Sequence, residues 1–408
     1  MRFRKLFTGA GLLGISPLLL AGTTFLALPI IMVTLGPAVW AALVVGQAIG
    51  EILRVLVIWG WNSLGIAKAV GMSPTQRFRY YLDSFPPRLV LLALTMIPAV
   101  VIVIFLPDVP RLAVFVMAAT GAIYGLASGW MLIATDRPVR LLTMDTLPRA
   151  ATTIGGALVL FVLPSPLLYA AINFAGAACA VTLPYLFLRA RARQEGVSAR
   201  WLTWREMRDS ILAGAPFVGV GMVMVLRMSA PVAMTPFIAP AGIAQIALGD
   251  KFVRWVNTAV TPLIQSLQVR IPEGEAQLSV KARRGVLIMI PFALTLGVVG
   301  VLAAYFGSPI ISAGEISLTV IQSISVGVFV AALFSGGVVG NSVLIMLGQQ
   351  RALFRASVSG LIVLVILFPL MLSVWGVSGG LAAWALSEVA VVTAQLIAVR
   401  SWRRKEFP

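Results

Sequence analysis

Apolar residues along this chain run in long stretches separated by short polar ones. Twelve stretches approach or exceed the roughly 20 residues a helix needs to cross a bilayer. They fall at about 10–35, 37–66, 86–106, 112–134, 148–164, 166–188, 209–237, 241–268, 285–306, 317–347, 352–374 and 377–399. The pattern predicts an all-α polytopic membrane protein. The first stretch follows Arg2, Arg4 and Lys5 as a signal peptide would. It continues to Leu35 with no clear small-x-small cleavage site, so it is read as a retained first span. The longest polar segment, 190–209, follows the sixth stretch and divides the chain into two halves, 1–200 and 201–408. Each half is expected to form a six-helix bundle. An even number of spans per half makes the halves parallel, related by a pseudo-twofold along the membrane normal. A shift of 203 residues pairs Pro37 with Pro240, Ala38 with Ala241, Ala41 with Ala244 and Gly46 with Gly249.

The placement of charge orients this bundle. With the N-terminus inside, the segments on that side and the span ends beside them carry 26 of the 31 Lys and Arg residues, Arg88, Arg137, Arg140 and Arg149 among them. The outside segments carry Arg111 alone. The positive-inside rule then predicts both termini in the cytoplasm, as for a multi-pass protein of a plasma membrane. The same placement accounts for the net charge of +17 without a nucleic acid partner. The basic segment 190–209 reads as a topology signal and a contact for anionic membrane lipids.

Composition removes other classes. Sixty percent of the 408 residues are apolar and 11% charged, far from a soluble enzyme. There is no His, and the single Cys179 excludes an intrachain disulfide and any multi-Cys metal site, so neither a metal nor a cofactor is expected. Cys179 reads as a small buried hydrophobe. Trp40, Trp59, Trp61 and Trp130 read as interfacial or packing residues.

Four basic residues remain within spans: Arg54, Arg227, Lys251 and Arg254. Three acids join them: Glu51, Asp250 and Glu388. Each costs about 2.5–3.5 kcal/mol at a helix centre and needs a partner or a cavity. At about 100° per residue, Gln47, Glu51 and Arg54 share a face of the second span, with Asn62 nearly in phase. Asp250, Arg254, Asn257, Thr261 and Gln265 form one polar stripe on the eighth span, and Glu388 and Gln395 share a face of the twelfth. Stripes on equivalent spans of the two halves predict a hydrated cavity between them. Pairs Glu51–Arg54 and Asp250–Arg254 are expected at i, i+3 and i, i+4. The set as a whole still carries one more cation than anion, which suits an anionic headgroup, since Arg holds phosphate bidentately. Arg54, Arg227, Lys251 and Arg254, with Asn62, Asn257 and Gln265, are therefore the expected substrate-binding residues. Glu51, Asp250 and Glu388 would tune these charges or carry a coupling proton or sodium ion.

Three segments carry a resemblance. Residues 57–65 (VIWGWNSLG), 129–149 (GWMLIATDRPVRLLTMDTLPR) and 243–272, which ends in Val269-Arg270-Ile271-Pro272, resemble the span-two exit, the span-four to span-five connection and the span-eight segment of Wzx-type polysaccharide flippases. The resemblance implies the multidrug/oligosaccharidyl-lipid/polysaccharide exporter fold. It also implies a flippase that moves a polyprenyl-diphosphate-linked oligosaccharide to the outer leaflet by alternating access, with polysaccharide-assembly proteins as partners. A cation-coupled multidrug exporter of the same fold is the alternative and would show a net acidic cavity. An integral-membrane glycosyltransferase or polymerase would need external catalytic acids or a long external loop. The outside segments offer only Asp108 and Glu315, so the chain is not expected to be an enzyme.

Overall fold

The computed structural model describes residues 2–269, 275–345 and 347–406, with side chains described throughout these except at 2–13, 63, 262–269, 275–288, 341–342 and 403–406. Every regular element among the described residues is helical. Nine of the described stretches are long and apolar enough to cross a membrane. The last of them, Gln350–Trp402, holds two expected spans joined at Gly376, whose φ of 59° interrupts the helix. The expected spans five and eight are helical too: Leu147–Val159, entered through Pro138–Leu141 and Leu142–Thr146, and Ile243–Val269. Among the described residues, each of the twelve expected spans is therefore helical over most of its length. Local chemistry sets several of their starts. Pro37, Pro74, Pro138 and Pro166 occupy first-turn positions where a missing N–H costs nothing. Ser73 with Gln76, and Thr319 with Gln322, close reciprocal capping boxes.

The chain forms two compact units, Met1–Ala233 and Met234–Pro408. In the first, span two (Pro37–Ile58) packs along the first part of span four (Arg111–Ile123) in the same direction. Gly46 and Gly50 of one meet the backbone at Val114, Ala118 and Gly121 of the other, and Gly125, just beyond Ile123, meets Val57. Two small-xxx-small faces let the helices approach to backbone contact, which in lipid is the main source of helix association. A Cβ on Gly121 would lie 2.5 Å from the carbonyl carbon of Gly50. Gly121→Ala is therefore expected to destabilise the protein by about 1–3 kcal/mol in thermal unfolding in detergent. Gly155→Ala, whose Cβ meets nothing within 4 Å among the described residues, should not.

Span two stops as an α-helix at Ile58. Trp59 (φ 44°) and Gly60 (φ 81°) turn the chain, and Trp61–Gly65 follows as a π-helix. Span four also breaks. A 3-10 turn at Tyr124–Leu126 and an extended Ala127 separate Arg111–Ile123 from Gly129–Ala134. Such a break exposes carbonyls that lipid cannot satisfy. Arg88, from the first turn of span three (Phe85–Ile104), satisfies them. Its Nη1 donates to the carbonyls of Leu126 (3.2 Å) and Ala127 (3.3 Å), and its Nε and Nη2 donate to the carbonyl and hydroxyl of Ser84. Arg88 is fully buried and lies 5.8 Å from the Trp61 ring. The Tyr81 and Ser128 hydroxyls pair beside it. Arg88 therefore corrects the sequence reading: it is an internal strut, and its charge is not one of those exposed at the membrane surface. Around it Trp61, Phe78, Tyr81, Leu82, Trp130 and Leu188 form an aromatic-rich core. Trp40, Trp61 and Trp130 are all buried. They pack the interior, one of the two roles expected of them.

In the second unit, span nine (Glu275–Ile311) crosses span ten (Val320–Gly337) where Gly297 and Gly300 face Gly327. Span eight runs parallel to span twelve, with Gly242 against Val377, Ile246 against Gly380 and Gly249 against Leu381.

Cys179 departs from expectation. It is exposed on span six (Pro166–Gln194). Apolar residues of a membrane protein are often exposed, so an apolar stretch does not imply internal burial.

Candidate functional site

Each unit gathers charge within its spans. In the first unit, Arg54 Nη2 meets Glu51 Oε2 at 2.7 Å, the expected i, i+3 pair. Both side chains are about one-third exposed. The Arg54 guanidinium stands 6.0 Å from the ring of Tyr124, at the break in span four. On the same ring, at 3.9 Å, lies the guanidinium of Arg149. Tyr124 donates its hydroxyl to both carboxylate oxygens of Asp145, at 2.7 and 2.9 Å. Arg149 Nη1 approaches Asp145 Oδ1 at 3.6 Å. Five residues from spans two, four and five thus form one network. Asp145 is buried at its back, while Arg54, Glu51 and Arg149 are each about 30% exposed.

Asp145 and Arg149 were not singled out by the sequence. Hydropathy gives 135–147 to a loop and counts Arg149 among the surface charges. In the structure Pro138 starts a helix ten residues before the apolar run resumes. The π-helical turn Leu142–Thr146 then places Asp145 inside. One extra residue in a turn re-aims the side chains around it, which is how a polar residue at a span's mouth comes to face the interior. The i, i+4 spacing of Asp145 and Arg149 was a signal available in the sequence.

In the second unit, Arg254 Nε lies 2.8 Å from both carboxylate oxygens of Asp250. Asp250 is 2% exposed and Arg254 31%. Lys251 and Asn257 are half-buried on the same helix, and Asn257 accepts from Thr261 through its carbonyl at 2.6 Å. The contacts between spans eight and twelve set a register in which Glu388 stands level with Asp250–Arg254. Glu388 is buried, at 2%. Two turns on, Gln395 is also buried and lies against Gly336 and Gly340, at the π-helical Val338–Leu344.

Other expected residues sit differently. Arg227, on span seven (Trp204–Ile238), is buried, as is Ser229. That helix meets span two where Trp59 Nε1 donates to the Ile211 carbonyl at 2.7 Å, where Gly60 meets Gly214 and Phe217, and where Val55 meets Gly221. Asn62 is exposed and lies past the positive-φ turn at Trp59–Gly60, so the helical phase that aligned it with Glu51 is lost. The side chain of Gln265 and residues 270–272 lie outside the described residues. Among the described residues no cluster of three or more acidic or Cys side chains could hold a metal ion.

No protein-family model matches the chain, and no curated protein matches it in sequence. Solved structures do match in shape. The lipid II flippase MurJ in an inward closed conformation aligns with a TM-score of 0.61 at 9% identity, over 97% of this chain and 86% of that one. The MATE multidrug transporter DinF-BH aligns with a TM-score of 0.57 at 16% identity, over 98% and 96%. An inward-facing multidrug resistance MATE family transporter of the MOP superfamily aligns with a TM-score of 0.52 at 11% identity, over 97% and 95%. The chain is a multi-pass membrane protein with the fold that these transporters share.

Proposed function

We propose that the protein is a flippase that carries a polyprenyl-diphosphate-linked oligosaccharide from the inner to the outer leaflet by alternating access. The observation that carries this reading is the pair of partly exposed guanidinium groups, Arg54 and Arg254, each held on a membrane-spanning helix by its own carboxylate. An arginine so placed is pre-organised for a phosphate, and its acid keeps the site stable while empty. Adding Asp145 and Arg149 to the intramembrane set adds one charge of each sign, so the excess of one cation stands. Arg227, Lys251, Asn257 and Gln265 complete the binding set in this reading, and Asn62 lies at its cytoplasmic rim. Glu51, Asp250 and Glu388 tune the cations or carry the coupling ion.

Arg54 gives the cleaner test, because its partner Glu51 is about one-third exposed and tolerates the loss. In proteoliposomes Arg54→Ala is expected to lower flipping of a diphosphate-linked glycolipid at least tenfold with little change in stability. Arg54→Lys should keep part of the activity, since lysine retains the charge without the bidentate fork. Full activity of a well-folded Arg54→Ala protein contradicts the role.

A further inference from the structure

Three arginines of the first unit converge on one phenylalanine. The guanidinium carbons of Arg140, Arg137 and Arg191 lie 4.9, 5.5 and 5.9 Å from the centre of the Phe187 ring. Arg137 and Arg140 flank the start of the short helix Pro138–Leu141, and Arg191 is one turn beyond Phe187 on span six. Asp136 and Glu195 are the acids nearest to them in sequence, and among the described residues neither forms an ion pair with any of the three. The ring face offsets part of the mutual repulsion of the cations, on the order of 0.5–1 kcal/mol each at an exposed site. The remainder calls for an anion.

The surroundings define which anion. One turn from Phe187, away from the arginines, Leu183 projects from the same face of span six, with Leu186 beside it, and both are exposed. Arg140 and Arg191 are exposed and Arg137 is half-buried. An apolar strip thus leads along the helix to a triad of donors at its basic end. A molecule with a phosphate at one end and hydrocarbon at the other matches this order.

We propose that Arg137, Arg140 and Arg191, gathered on Phe187, bind the phosphate headgroup of an anionic phospholipid, with its acyl chains along Leu183 and Leu186. The site is separate from the Arg54–Tyr124–Arg149 network and does not depend on what the protein transports. It turns three charges that orient the chain into a point where leaflet composition acts on it. Because Arg137 and Arg140 open the helical stretch that carries Asp145 and Arg149, a bound headgroup holds the entrance to span five in place.

Native mass spectrometry of the detergent-purified full chain, titrated with phosphatidylglycerol or phosphatidylcholine, tests this. Wild type is expected to retain phosphatidylglycerol in preference to phosphatidylcholine. The triple variant Arg137→Gln, Arg140→Gln, Arg191→Gln should weaken phosphatidylglycerol binding about a hundredfold, from the usual contribution of each basic residue near a lipid surface. Arg140→Gln alone, which disturbs no ion pair among the described residues, should weaken it about fivefold, and keeps the test open if the triple variant does not fold. Phe187→Leu should weaken it severalfold, because the apolar bulk stays while the ring that gathers the cations is lost. Arg351→Gln, an exposed arginine of the other unit, should leave it unchanged. Equal retention of phosphatidylglycerol by wild type and Arg140→Gln overturns the proposal. Displacement of the lipid by an equal concentration of inorganic phosphate also overturns it, since it identifies a site for the free ion.

Discussion

Arg88→Met is expected to cost several kcal/mol, among the largest losses of any single substitution in the first unit. Methionine fills a similar volume but leaves the carbonyls of Leu126, Ala127 and Ser84 without the donors they have now. Each buried polar group so abandoned costs about 1–3 kcal/mol. Lipid supplies no substitute, and the site is fully buried. Arg88→Lys keeps the charge, yet one ammonium on a flexible stem cannot reproduce a fork that bonds two carbonyls and a serine at once. It should recover only part of the loss. Thermal unfolding of purified variants measures this, and expression in the membrane should fall in the same order. An Arg88→Met protein as stable as wild type would show that the break in span four has another support.

Arg254→Ala is expected to behave unlike Arg54→Ala. Asp250 is nearly inaccessible, with both oxygens committed to Arg254 Nε. Removing the arginine strands a buried carboxylate, a change that costs about 3–5 kcal/mol where a buried pair is broken from one side. Because Arg254 itself is about 31% exposed, the lower end of that range is expected. Asp250→Asn in the Arg254→Ala background removes the stranded charge and should return most of the stability. Transport should stay low in the double variant, because the guanidinium is still missing. Recovery of stability without recovery of transport separates what Arg254 does for the fold from what it does for the substrate. A stable, inactive single variant would contradict the structural half of this account, and an active double variant the other half.

These substitutions fall where sequence and structure diverge. Hydropathy locates the spans because it reads the length of apolar runs, and among the described residues each such run is helical over most of its length. It has no access to backbone geometry. The turn at Trp59–Gly60, the break at Tyr124–Ala127 and the π-helical turn at Leu142–Thr146 all lie within or beside apolar runs and leave no mark on a hydropathy profile. Their consequences are local but decisive. Asn62 drops out of the stripe it was assigned to, Arg88 turns inward, and Asp145 and Arg149 join the site. Pairs set by helical periodicity alone, Glu51 with Arg54 and Asp250 with Arg254, were legible because no break lies between their members. Tyr124 was not legible, since its link to Asp145 depends on two breaks meeting. The resemblance in 57–65 and 129–149 marked two of these irregular segments without indicating their geometry.

The most direct test of transport is reconstitution of the purified full chain into liposomes that carry a fluorescent polyprenyl-diphosphate-linked oligosaccharide in both leaflets. Dithionite added outside bleaches the label it can reach. Protein-dependent bleaching of the inner-leaflet pool is expected, with a much slower loss for the same glycan on a polyprenyl alcohol that lacks the diphosphate, and a drop of at least tenfold with Arg54→Ala. Bleaching that stops at the outer leaflet with wild-type protein, while the same liposomes transport an organic cation such as ethidium, would contradict that expectation and assign the protein to multidrug export.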